Sequence, residues 1–224
     1  MLRPKKNILR KEIKRDPFLE SVDQAQAHME QNKSMYFNVG LVILVFIVGF
    51  TFISNKKNEQ KLKASAFLAE AFTSKDKDDI ASAQFQIQTI LNDFQGTPSA
   101  INAAYFIGKM KYESGNFIEA EAHLNSYLDD NPKGFLSASA SIIIADINIK
   151  SNNHEKALNL INERISTAQT KNDTRTLKLH KAKIELAMGN EEAAKLIVDE
   201  ILNEDNLTTW HKKVAQEIMG NLTS

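Results

Sequence analysis

The sequence predicts an all-α chain in which one membrane-spanning helix precedes a stack of helical hairpins. Three observations predict it. Gly and Pro number only 8 and 4 among 224 residues, which leaves few breakers to make β-turns. A stretch of 22 residues without a charge, SMYFNVGLVILVFIVGFTFISN, lies between Lys33 and Lys56. Finally, three similar bends recur at a fixed spacing: YESGNFIEAEAHL (112–124), IKSNNHEKALNLI (149–161) and LAMGNEEAAKLIV (186–198).

Residues 1–33 form a basic arm. The first fifteen, MLRPKKNILRKEIKR, hold seven basic side chains against one Glu. Ile8, Leu9 and Ile13 among these cations fit either a helix lying on anionic lipid or a solvated tail. Asp16-Pro17 marks a helix start, a cap followed by Pro in the first turn. Phe18, Leu19, Val22, Ala25 and Met29 then line one side.

Residues 34–55 are the predicted transmembrane helix. Their apolar core, Met35–Ile53, is 19 residues long, or roughly 28 Å as a helix, close to the hydrocarbon thickness of a bilayer. Thirteen of these are Phe, Leu, Ile or Val, which together favour insertion by several kcal/mol. A cleaved signal peptide would carry a shorter apolar region nearer the N-terminus. Gly40 and Gly49, nine residues apart, do not make a GxxxG contact motif. The formal net charge of zero hides an asymmetry, +3 over residues 1–36 and −3 over 56–224. Lys56, Lys57, Lys61 and Lys63 follow the span directly, so charge alone leaves orientation open. The short arm and large body fit a signal-anchor with the N-terminus inside. Residues 56–63 read as a linker.

Residues 64–224 read as the repeat domain. Gly115, Asn152 and Gly189 are 37 residues apart, as are Ala120, Ala157 and Ala194. Gly and Asn adopt the left-handed conformation that ends the first helix of a pair at least strain. The following Asn116, Asn153 and Asn190 suit the cap of the second helix. A small Ala lets the two helices approach, and Leu124, Ile161 and Val198 fill the space between them. Pro132 ends the hairpin. Ala83 lies one period before Ala120, which predicts an upstream pair whose turn, SKDKDD, lacks the Gly. The segment NLTTWHKKVAQEIMGNL predicts a capping helix with Trp210, Val214 and Ile218 on its inner side.

These features resemble the tetratricopeptide repeat. The first clear unit carries Ile107-Gly108, Gly115, Ala120, Leu124 and Pro132 in register, with Ala104 at the Trp-like position and Tyr112 one place late. The resemblance implies a right-handed superhelical solenoid. The order of arm, signal-anchor and repeats further resembles YfgM-type ancillary subunits of the Sec translocon. That resemblance implies an inner-membrane protein with a cytoplasmic N-terminus and a periplasmic repeat domain. It also implies contact with the translocon and periplasmic chaperones, and no catalysis.

The residues themselves point to no chemistry. Without Cys there is no disulfide, thiolate zinc site or cysteine nucleophile. The five His are scattered, with no HExxH pair, and DKDD (76–79) lacks the Gly and distal Glu of a calcium loop. No cofactor fingerprint is present, nothing suggests a small-molecule substrate, and the mildly acidic body argues against nucleic acid. A binding module is expected instead, either a tether for partner proteins or emerging polypeptides, or a structural adaptor in cell-envelope assembly or division. On the first helices of the pairs, Tyr105, Ile142 and Leu179 share a register, as do Tyr112, Ile149 and Leu186. These rows either line a concave partner-binding groove or, with the helices slightly rotated, lie in the core; the late Tyr112 favours the core.

Overall fold

The computed structural model describes residues 17–222, and these form ten α-helices and no strand. They are α1 (Pro17–Gln31), α2 (Lys33–Asp76), α3 (Ile80–Asp93), α4 (Pro98–Glu113), α5 (Phe117–Asp130), α6 (Ser137–Lys150), α7 (His154–Thr167), α8 (Lys171–Ala187), α9 (Glu191–Leu202) and α10 (Thr209–Leu222). The chain divides into two compact units at Lys57/Asn58.

In the first unit, α1 runs over Pro17–Gln31. The expected cap Asp16 and the arm residues Ile8, Leu9 and Ile13 lie outside the described residues, as does the side chain of Leu19. Val22 and Met29 are exposed. Along α2 the large apolar side chains from Met35 to Ile53 are exposed as well. The most apolar window of α2 has a mean hydropathy of 2.4, and α2 is long and apolar enough to cross a membrane. Residues 56–63, expected as a linker, are helical and belong to α2. No Gly or Pro follows Gly49 before the helix ends, and Glu59 pairs with Lys63 across one turn at 2.8 Å.

The second unit contains four hairpins and a cap. The C-terminal part of α2 pairs with α3, α4 with α5, α6 with α7, and α8 with α9. Each hairpin bends at a residue with positive φ: Asp78 (62°), Gly115 (82°), Asn152 (60°) and Gly189 (81°). The four are spaced 37 residues apart, so the glycine-free SKDKDD turn obeys the same period. The next N–H closes each turn on the carbonyl five residues back. Asp79 N donates to Ser74 O at 2.9 Å, and Asn116, Asn153 and Asn190 N donate to Lys111, Asn148 and Glu185 O at 2.8 Å. The three asparagines stand at the N-cap positions, yet their side chains make no cap bond. Asn190 instead donates its amide to Glu185 Oε2 at 2.9 Å. Side-chain caps come from Asp79, Thr97 and Thr170, which accept from Ser82, Ala100 and Asp173 N. Asn152→Val is expected to cost about 1–2 kcal/mol, because a β-branched residue resists positive φ. The urea midpoint should fall with an unchanged m-value.

Small residues set the spacing within each pair. Ala71, Ala145 and Ala182 are at most 2 % exposed on the first helices, and Ala83, Ala120, Ala157 and Ala194 are fully buried on the second. Ile87, Leu124, Ile161 and Val198 occupy the position four residues further on, each at most 2 % exposed. Gly108 replaces Ala in one pair, where an added Cβ would come within 2.8 Å of Leu124 Cγ. Tyr127 is fully buried between the second and third hairpins, and its hydroxyl accepts from Leu136 N at 3.2 Å.

The cap differs from expectation in one respect. Val214 and Ile218 are buried, but Trp210 is 48 % exposed and His211 takes its place inward. The α10 stripe is therefore centred on His211, Val214, Ala215 and Ile218, one residue later than the Trp-based spacing suggests. Thr208 and Thr176 hydroxyls engage the two ring nitrogens of His211, at 2.6 and 3.1 Å, which gives a buried polar ring its partners. The loop before α10 is held by Arg175 of α8. Its Nε donates to Glu204 Oε2 at 2.8 Å and its Nη2 to Asp205 O at 2.9 Å, with the guanidinium almost wholly buried.

Candidate protein-binding face

The first helices of the hairpins make one surface. α4 touches α6, α6 touches α8, and α8 touches α10. The second helices pack on first helices to either side, α5 on α4 and α6, α7 on α6 and α8. Between second helices, Lys156 of α7 reaches Glu121 of α5 in a close ion pair at 2.8 Å.

The two predicted rows fall differently. Tyr105 and Leu179 are buried, 6 % and 0 % exposed, Tyr105 edge-on to Tyr127 at 5.7 Å. Ile142, the middle of that row, is half-buried against the core of the α6–α8 region. In the second row Tyr112, Ile149 and Leu186 are all half-buried, so each presents part of its side chain to solvent.

A polar ladder crosses the same side. The Tyr112 hydroxyl donates to Asp146 Oδ2, and Lys150 Nζ stands 3.6 Å from that oxygen. Seven residues earlier on both helices, burial pushes the Tyr105 phenol up while Ser139, on the neighbouring first helix, opposes the shift. Each rung joins residues 34 apart, one helical turn short of the repeat period. That offset, Tyr105 to Ser139 and Tyr112 to Asp146, is the sequence signal that the 37-residue register passes over. It also gives the late Tyr112 a role, since its phenol reaches sideways to the neighbouring first helix.

Burial, and then the bond to Asp146 and its charge, push the Tyr112 phenol up to about 12. Burial pushes His180 of α8 down to about 4, with Lys183 adding to the shift and Asp146 opposing it. The unfolded chain protonates this imidazole near its ordinary 6.5, the folded chain only near 4. Acid therefore favours the unfolded state across this window, by up to about 3 kcal/mol. Urea midpoints should fall from pH 7 to pH 4.5, and His180→Gln should flatten that fall relative to the parent chain.

Among the described residues no group of three His, Asp or Glu could hold a metal ion.

The family model for a tetratricopeptide repeat-like domain matches residues 26–195. The chain belongs to the tetratricopeptide repeat-like domain family. The family match takes in the apolar stretch of α2 and the hairpins into α9, and leaves out α10. The tetratricopeptide repeat-like chain is also similar to a solved tetratricopeptide repeat protein from Parabacteroides merdae. The identity is 17%, the TM-score 0.55, and the match covers 70% of this chain and 60% of that one. At that identity the likeness concerns the fold alone, and the tetratricopeptide repeat-like chain spans 60% of the length of the solved structure it matches. No curated protein matches it.

Proposed function

We propose that the chain is a membrane-anchored protein–protein interaction scaffold, ancillary to protein translocation or to chaperone handover at the membrane. The single observation that carries this is the half-buried row Tyr112, Ile149 and Leu186 on touching first helices, in a family built for repeat-on-repeat binding surfaces. The exposed apolar length of α2 supports the tether, because a bilayer is the medium in which such a helix face is stable. The scaffold acts by holding polypeptides, with no chemistry of its own. In this proposal the N-terminus is cytoplasmic, the repeats are periplasmic, and the Sec translocon, periplasmic chaperones or emerging chains are the partners.

Photo-crosslinkers at Ile149 and Leu186, activated in intact membranes, test it. Capture of translocon subunits, chaperones or emerging polypeptides is the expected result. Capture of one fixed envelope or division component alone would replace it with the structural-adaptor role. The chain has no Cys, so single cysteines introduced at positions 10 and 150 report orientation directly. A membrane-impermeant thiol reagent should label position 150 from the outer side and leave position 10 untouched.

A further inference from the structure

Along α1 and into the start of α2, Val22, Ala25, Met29, Asn32 and Tyr36 follow one another at alternating steps of three and four residues. That is the spacing of a seam between two helices. Val22, Ala25 and Met29 are exposed, and with Tyr36 they line one shallow apolar hollow. The acidic groups of α1 lie away from it. Glu20, Asp23 and Glu30 fall at outer positions of the same heptad, while Gln26 and His28 flank the seam and Lys33 is its one charged flank.

Lipid does not suit this stripe. Helices that lie in the headgroup region carry Lys and Arg on their polar face, whereas α1 has three acids and no Lys or Arg. Nor does the backbone turn aside before the apolar run. Asn32 N donates to His28 O and Tyr36 N to Asn32 O, both at 3.1 Å, so helical bonding passes from α1 into α2 without Gly or Pro at the junction. The stripe therefore calls for a protein partner.

We infer that this partner is a second copy of the chain, with two α1 helices side by side and parallel in the membrane-bound protein. Two copies anchored by the same helix in the same sense meet in register, so each seam residue faces its own counterpart. The acids on the outer positions then stay apart, and like charges do not oppose one another across the seam. Asn32 suits a self-pair, because its amide both donates and accepts. Its Nδ2 gives one hydrogen to His28 O at 3.0 Å, which leaves a second N–H and the carbonyl oxygen for the other copy. A polar seam residue of this kind fixes register. A 15-residue helix pairs weakly by itself in water, and confinement to one bilayer raises the effective concentration of the second copy. The inference rests on the membrane-tether reading and adds a stoichiometry to it.

Single cysteines in the full-length chain, oxidised in isolated membranes, test it, since the chain has no Cys of its own. A disulfide needs Cα atoms within about 7 Å, a distance that seam positions meet and outer positions exceed. Val22→Cys, Ala25→Cys and Met29→Cys should give disulfide-linked dimers at least about fivefold more readily than Asp23→Cys, Ala27→Cys and Glu30→Cys. The pattern should persist when the membranes are diluted with added lipid. Met29→Glu beside Ala25→Cys should lower the yield severalfold, while the melting temperature of the repeat domain stays unchanged. Equal yields at seam and outer positions, loss of the pattern on dilution, or linkage of these cysteines to another protein in place of a second copy each overturns the inference. If the cysteines fail while crosslinkers at Ile149 and Leu186 trap partners, the pairing falls and the scaffold stands. If dimers form and those crosslinkers trap nothing, the pairing stands and the scaffold falls. A chain absent from the membrane fraction overturns the tether and the pairing together.

Discussion

Arg175→Ala is expected to release the C-terminal cap. The guanidinium bridges α8 to the segment after α9 through Glu204 Oε2, Asp205 O and, at 3.4 Å, Asn206 O. Removing it leaves buried acceptors without a donor and Glu204 without its countercharge, a loss of about 2–4 kcal/mol. Arg175→Lys should recover only part of it, because an ammonium cannot reach three acceptors in one plane. Hydrogen exchange should accelerate in α9 and α10 and stay slow in α4 to α6. Repeat stacks lose end units before central ones, since each hairpin is held by its neighbours. Uniform acceleration throughout the domain would show that the cap is not a separable unit.

Gly108→Ala has opposing effects, and magnitudes decide between them. Alanine favours the helix by about 1 kcal/mol. Its Cβ, however, would meet Leu124 Cγ at 2.8 Å, Cδ2 at 3.1 Å and Ala120 O at 3.2 Å. Leu124 is fully buried, so the branch carbon cannot swing away, and overpacking of this kind costs about 1–3 kcal/mol. A net destabilisation of about 1–2 kcal/mol is expected in urea titrations. The other pairs indicate the remedy: Ala71, Ala145 and Ala182 stand where Gly108 does, with Ile87, Ile161 and Val198 in place of Leu124. Leu124→Val should therefore be destabilising in the parent and much less so beside Ala at position 108. A double-mutant cycle that adds without coupling would show that the close approach does not constrain the pair.

Local conformational demands recur with the repeat and were legible for that reason. Gly115, Asn152 and Gly189 announce their bends because few residues tolerate positive φ. Asp78 does not, because its surroundings are charged and polar, and only the shared period with the other three exposes it. The asparagines after the bends were legible as position but not as bonding. Their backbone N–H groups close the preceding helix, while the side chains that cap are Asp79, Thr97 and Thr170. Trp210 misled because a large aromatic in an amphipathic pattern suggests the inside. Two threonine hydroxyls satisfy His211 there instead.

The sequence by itself determined the helical class, the 37-residue period, the apolar length of α2 and the small residues between paired helices. Each follows from a short-range rule: propensity, allowed φ, hydrophobic run length, or contact between helices joined by one turn. Only the tertiary structure decided how far each first helix rotates. That rotation buries Tyr105 and Leu179, leaves Tyr112, Ile149 and Leu186 half in solvent, and brings Tyr112 onto Asp146. Neither rotation nor the reach of Arg175 to Glu204 has a local signature, because both depend on packing between hairpins, where side-chain shape rather than spacing selects the fit.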